Sequence, residues 1–328
     1  FICEPPPQRL RKRRKIIIIY IVRSLAITSP QPKQKEKEMK KIGLVDFYLS
    51  EWHADNYLKR IIKANKSMSE SERCEVAYAW AERDVSMADG VTSAQWCEKN
   101  DVRLCGSIEE LCEKSDYIVI LSPLNPEKHL GYAEKVFPFG KNTFIDAPLA
   151  SDYASAEKIF DLAKKYGTKF FSASALRFAD GVKTMNENMI VITGGGETFD
   201  DFIVHQVEAA TAIVGVGADF VRVDAGRDFE ADKCGYGVKI HYPDSRMVTL
   251  LYAPRLGFEI ITDVKRIEIR DEILDKLSIE ILKFFASGEM PFDPRESLEV
   301  VRINEKLLEG KSTSNKWISL WGNAESPL

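Results

Sequence analysis

The sequence predicts an α/β chain in which a doubly wound parallel sheet is followed by an α+β domain with a mostly antiparallel sheet. Three observations carry this. Short apolar runs alternate with helical stretches from Lys41 to Ser172, the pattern of strands buried on both faces and joined by crossover helices. From Phe220 to Ile269 strand-like runs succeed one another with only turns between them, and helices return at the end of the chain. The composition of 328 residues, 45% hydrophobic and 29% charged, excludes disordered, collagen-like and disulfide-scaffold chains, and the length suits about two buried cores.

Lys41–Val45, ending at Asp46, suits a first strand. Ser50 stands where an N-cap would open a helix carrying Trp52, Tyr57, Leu58, Ile61 and Ile62 on one side. Val76–Trp80 is a second strand, Ser86–Lys99 a helix and Val102–Leu104 a third strand. Ser107 and Glu110 have capping-box spacing at the start of the next helix. Tyr117–Leu121, a fourth strand, runs into Ser122-Pro123, with a helix over Pro126–Val136 and a strand over Thr143–Ile145. A helix over Tyr153–Lys165 stops at Gly167 and leads into a strand at Lys169–Ser172. In the second half, Gly194-Gly195-Gly196 lacks the Lys and Ser/Thr of a phosphate loop and reads as a turn before a helix bearing Phe202, His205, Val207 and Glu208. Strands follow at Phe220–Asp224, Tyr236–Tyr242, Met247–Tyr252, Phe258–Ile261 and Arg266–Ile269, with a hairpin turn over Pro243–Arg246. Helices over Ile273–Ala286 and Pro294–Leu308 close the chain, and the domain boundaries fall at 39–150 and 151–328, the helix and strand of 151–175 packing on the first domain.

Residues 1–38 hold ten basic and three acidic residues, leaving 36 basic and 47 acidic ones for the remainder. With Met39-Lys40-Lys41 as a natural start, this stretch is expected to be upstream sequence or a tail rather than a basic arm or targeting peptide. The acidic body argues against nucleic acid as a partner, and the longest apolar run, Ile16–Val22, is too short to span a membrane. The six cysteines (3, 74, 97, 105, 112 and 234) form no C-x-x-C pair and have no nearby His, so no metal is expected, and free thiols in a cytoplasmic protein are.

Several segments together suggest a function. His129 follows six residues after Pro123, Gly140-Lys141 precedes Phe144-Ile145-Asp146-Ala147-Pro148-Leu149, and Arg177-Phe178 follows the next strand. Asp201 and His205 lie four apart on one helix, with Glu208 and Gly215 beyond. In this order these segments resemble the Gfo/Idh/MocA family of glucose-fructose oxidoreductase and inositol dehydrogenase relatives. The resemblance implies a Rossmann-like domain for NAD or NADP and a C-terminal sheet that shapes a site for a sugar, polyol or related hydroxyl-bearing substrate. It also implies hydride transfer and a homo-oligomer, for which an open antiparallel sheet face gives an opportunity. It places Asp46, Tyr48, Glu82, Ser122, Pro123, Asn125, His129 and Pro148 at the cofactor, and Arg177 and Asp146 at the substrate. Two departures bear on activity. The family's glycine fingerprint falls on Asp46, Tyr48 and Glu51, and the lysine of its E-K-P segment is Ala147.

A carboxylate beside an imidazole fixes its tautomer and raises its basicity, so Asp201 and His205 are expected as partner and general base. Glu82 suits a ribose hydroxyl and Arg83 a 2′-phosphate, which leaves NAD and NADP equally open. Arg177 is equally well read as an ion-pair residue, and His241 as structural. The alternative to an oxidoreductase is a non-catalytic metabolite- or nucleotide-binding protein of the same fold.

Overall fold

The computed structural model describes residues 39–322 apart from 183–184, 186–188, 227–234, 271 and 314; the expected tail and two of the cysteines lie outside the described residues. Six strands form the first sheet: β1 (Lys40–Asp46), β2 (Cys74–Ala81), β3 (Arg103–Leu104), β4 (Tyr117–Ile120), β5 (Thr143–Asp146) and β6 (Phe170–Ala173). All pairs are parallel in the order β3-β2-β1-β4-β5-β6, so the winding reverses between β1 and β4 and opens a crevice at the carboxyl ends of the strands. The apolar runs form strands because both faces are covered. Leu44 and Phe144 pack on one side, and Val45 and Ile145 on the other. Asp46 and Asp146, the last residues of β1 and β5, have the parity of Leu44 and Phe144 and lie on the side covered by helix α1 (Trp52–Ala64).

Four more helices complete the winding: α2 (Ser93–Asn100), α3 (Ile108–Lys114), α4 (His129–Val136) and α5 (Tyr153–Tyr166). Gly43 lets α3 approach β1, since a Cβ there would collide with Leu111 and Ser115. Three expectations shift locally. The N-cap of α1 is Glu51 rather than Ser50, whose hydroxyl bonds Asp89 instead. The helix expected from Ser86 begins at Ser93, because Ser86 N–H bonds Val91 O and Thr92 makes the reciprocal cap with Gln95. Ser107 caps α3, but the Glu110 carboxylate turns to Gly106 N–H at 2.7 Å, one residue before the cap.

The second sheet holds β7 (Met189–Gly194), β8 (Phe220–Ala225), β9 (Tyr236–His241), β10 (Met247–Tyr252), β11 (Glu259–Thr262), β12 (Arg266–Glu268) and β13 (Trp317–Ser319). Its order is β12-β11-β7-β10-β9-β8-β13, antiparallel throughout except for the β7–β10 pair. The chain is thus an α/β fold with a Rossmann-like parallel sheet and a second, mostly antiparallel one. Helices α6 (Phe199–Val214) and α8 (Pro294–Gly310) share a core with this sheet, with Val207, Ile303 and Leu307 against Ile192, Val223 and Leu250. Helix α7 (Glu272–Ser287) returns to the first sheet instead, where Leu277, Ile281 and Phe285 join Leu44, Tyr57 and Phe144, and Arg60 of α1 holds Asp275 at 2.7 Å. Among the described residues no helix is long and apolar enough to cross a membrane.

Candidate functional site

The crevice is built first by the loop from β1 to α1. Asp46 is 1% exposed. Its Oδ1 accepts from Phe47 N–H at 2.7 Å and from Ser122 N–H and Oγ–H at 3.0 and 3.2 Å, and its buried Oδ2 has no protein partner. Ser122 reaches back from the end of β4 with a φ of +66°, so Asp46 ties together the two strands that flank the reversal. Burial raises the Asp46 carboxyl well above its ordinary value, and the nearby Glu51 raises it further, against the bonds from Phe47 and Ser122. Tyr48 is half-buried beside it, with its phenol raised by burial and then by Glu51 and Asp46. Glu51, in extended backbone, caps α1 by accepting from Ala54 N–H, and its second oxygen meets His53 Nδ1 at 2.9 Å. Burial pulls His53 down, yet Glu51, Asp146 and Asp46 outweigh it and hold the imidazole above its ordinary value.

A second group stands at β5. Asp146 Oδ1 accepts from Tyr57 O–H at 2.9 Å and from Ala147 N–H at 3.0 Å, while Oδ2 is again buried without a protein partner. Burial raises this carboxyl, and His53 opposes the rise. Ala147 puts a buried methyl where the resemblance expects a lysine, and Pro148 follows it, also buried.

Helix α6 brings His205 to the crevice. Its Nδ1 lies 2.8 Å from Ser174 Oγ, just past β6, and its ring edges meet Phe202 and Phe258. Burial, and then His53 as a like charge, hold this imidazole down to about 4. It is therefore neutral at physiological pH. Among the described residues, Nε2 has no protein partner. His53 faces both groups electrostatically and so places Asp46, Glu51, Asp146 and His205 in one neighbourhood.

Other expected site residues are committed elsewhere. Asp201 is exposed and does not partner His205; its carboxylate accepts from Thr198 O–H at 2.6 Å in the cap of α6, and the partner role falls to Ser174. The i, i+4 spacing put both side chains on one flank of the helix, but the N-cap hydroxyl lies nearer. Arg177 is buried against protein rather than facing a substrate: its guanidinium binds Glu208 at 2.7 Å and Glu296 at 2.9 Å and stacks on Phe292 at 3.7 Å. His129 is fully buried between Leu121 O at 2.5 Å and Leu149 O at 3.1 Å, so it ties the ends of β4 and β5 rather than facing a nicotinamide. Glu82, placed for a ribose, is engaged by Lys128 at 2.6 Å and Tyr132 O–H at 2.9 Å. Pro123 and Asn125 are half-buried in the loop after β4, where Asn125 N–H bonds Ser122 O. His241 pairs with Asp219 at 2.7 Å, away from the crevice groups. Ser174, Tyr57 and Glu51 were not singled out as site residues; Tyr57 was legible only as a core position and Ser174 only by following a strand.

A dinucleotide tests this donor set. Pyrophosphate at a helix N-terminus needs free N–H groups and room for close approach of the backbone. Here Glu51 supplies its own anion to the N-terminus of α1, and Asp46 takes Phe47 N–H and Ser122 N–H. The groups offered are acceptors, and side chains stand where the fingerprint has none. The loop does not fit a pyrophosphate in the family's manner.

Comparison with known proteins bears on the fold. Residues 56–174 match the model of the Gfo/Idh/MocA family, described as an oxidoreductase family with an NAD-binding Rossmann fold, so the match starts beyond the β1–α1 loop. Among solved structures, scyllo-inositol dehydrogenase from Lactobacillus casei with bound NAD(H) and scyllo-inositol is 13% identical, covering 86% of this chain and 99% of that one at a TM-score of 0.68. A putative myo-inositol dehydrogenase from Sinorhizobium meliloti is 13% identical, covering 86% and 100% at a TM-score of 0.66. Biliverdin reductase from Synechocystis, in complex with biliverdin and NADP+, is 13% identical, covering 82% and 98% at a TM-score of 0.59. Comparison with curated proteins finds no match.

Proposed function

We propose, on the premise that the chain belongs to the Gfo/Idh/MocA family through its Rossmann domain, that its crevice binds a small sugar- or polyol-like molecule in a cytoplasmic setting. In this reading His205 meets a ligand hydroxyl through Nε2, the nitrogen that would serve as acid–base group in a hydride transfer, and Asp146 and Asp46 accept hydrogen bonds from the ligand. The observation that carries it is that, among the described residues, two buried carboxyl oxygens lack partners, on Asp46 and Asp146, while His53 couples electrostatically both to these carboxyls and to the neutral imidazole of His205. Buried acceptors without partners cost free energy that a ligand rich in O–H donors recovers. The loop's N–H donors are already taken by Asp46 and Glu51, so phosphorylated sugars are disfavoured. The neutral His205 leaves Nε2 to meet a ligand hydroxyl, and only in the hydride-transfer reading below would it take that hydroxyl's proton, as the hydride leaves the same carbon.

A second reading, an NAD- or NADP-dependent oxidoreductase acting on such a hydroxyl, is favoured by the family match itself and by the crevice at the strand reversal. The self-capped loop is what ranks it second. Both readings are tested by calorimetry with scyllo-inositol, myo-inositol and glucose. Saturable heat for at least one of them is expected, with a loss of about tenfold or more, about 1.4 kcal/mol, in His205→Ala. An absence of heat with every polyol contradicts the first reading.

A further inference from the structure

We propose that Arg177 is a positioning residue for His205, acting through Glu208 and Ser174; this rests on the acid–base reading of His205. Arg177 leaves the 3-10 turn Ala175–Phe178 and is 2% exposed, so its ion pairs are buried ones. One arm reaches Glu208 of α6 and another Glu296 of α8, and Phe292 covers its face. Ser174 N–H faces the Glu208 carboxylate and lowers its pKa, and Ser174 O accepts from Arg177 N–H. The turn that follows Ser174 and the helix that bears His205 are thereby clamped to each other by one charge network. The Ser174 side chain does the remaining work: Oγ accepts from Leu176 N–H at 3.3 Å and meets His205 Nδ1 at 2.8 Å.

The chain of contacts runs from α8 through Arg177 and Glu208 to Ser174 and the imidazole, which stands on α6 three residues before Glu208. A hydroxyl that already accepts from Leu176 N–H keeps one proton and one lone pair for His205, so the placing of Ser174 sets the ring's angle to the crevice and the direction of its O–H sets the tautomer. Network-held polar groups of this kind set geometry more than stability. The charged and titratable groups facing His205 are His53 from α1 and, behind Ser174, the Arg177–Glu208–Glu296 set; its other neighbours, Phe202 and Phe258, are apolar.

The test is nitrogen-15 and proton NMR of histidine-labelled full-length protein, which reads tautomer and titration midpoint without needing an activity. The wild type is expected to show one dominant neutral tautomer for His205. In Arg177→Lys, whose ammonium lacks the planar fork that serves two carboxylates, the His205 tautomers are expected to mix and the midpoint to rise by about one unit or more as water reaches the ring. The His129 and His241 signals are expected to stay in place, which separates positioning from general loosening. Glu296→Gln, at the more exposed end of the network, repeats the test should Arg177→Lys not fold, and Ser174→Ala applies it at the ring itself. An unchanged His205 tautomer and midpoint in a folded Arg177→Lys or Glu296→Gln protein overturns the proposal, as does an unchanged His205 in Ser174→Ala. Polyol calorimetry on the same samples reports separately on the binding reading: loss of the NMR effect with binding intact sinks only the positioning role.

Discussion

Single side chains decide the character of this crevice. Asp46 and Asp146 are nearly isosteric in role, each with one oxygen bonded to backbone N–H groups and one left over. For Asp46 the cost of burying the charge and the gain of three hydrogen bonds oppose each other. Asp46→Asn keeps an acceptor and removes the charge, so a change within about 1 kcal/mol is expected in chemical denaturation, whereas Asp46→Ala strands Phe47 and Ser122 N–H and is expected to cost about 1–3 kcal/mol. His205 gives the sharper pH signature. Its native value, about 4, lies below its ordinary 6.5, so on acidification the unfolded chain takes up the proton first. The contribution of this residue to stability is therefore complete above about 6.5 and is lost as the pH falls through about 4. Histidine NMR of the native protein should place its midpoint near that lower value, and a midpoint at or above 6.5 contradicts the burial argued here.

At the scale of elements, the parallel strands and their helices were legible because each carries a period or a cap that local chemistry enforces. Thr143–Asp146, Met247–Tyr252 and Tyr153–Tyr166 emerge within a residue of where apolar alternation and a C-terminal glycine put them. Strands β7 and β13 were not legible, since Met189–Gly194 ends in the glycine triplet and Trp317–Ser319 spans three residues; both exist only through pairing with distant strands. The site divides the same way. His205 was visible through the resemblance carried by its spacing from Asp201, but its partner Ser174 lies 31 positions away and is joined to it by tertiary packing alone. Asp201 looked better because spacing along a helix is visible in sequence and competition from a cap hydroxyl is not. Helix α7 illustrates the energetic weight of a returning element. Phe285 is buried between Phe284 and a stacked Tyr117 at 4.7 Å, so Phe285→Ala is expected to cost about 3–5 kcal/mol in urea unfolding and to loosen α1 through the Arg60–Asp275 pair. A cost under 1 kcal/mol would show that α7 is not integral to the first core.

For the molecule as a whole, the fold shared with the inositol dehydrogenases is retained, while the β1–α1 loop presents carboxylates where the fingerprint has glycines. Three substitutions of glycine by larger residues would be tolerable as loop variation, but two of them introduce carboxylates, and these turn inward to satisfy the donors that a pyrophosphate would use. Ala147 leaves no cation at the position where the resemblance expects a lysine. In the proposed reading these changes favour hydroxyl donors over phosphate, on a scaffold similar in fold to dehydrogenases. The central claim is tested most directly by titrating the purified full-length protein with NADH and NADPH while following nicotinamide fluorescence. Neither nucleotide is expected to produce a saturable change. Saturation by either would show that a dinucleotide finds a seat despite Asp46 and Glu51, and would put the oxidoreductase reading first.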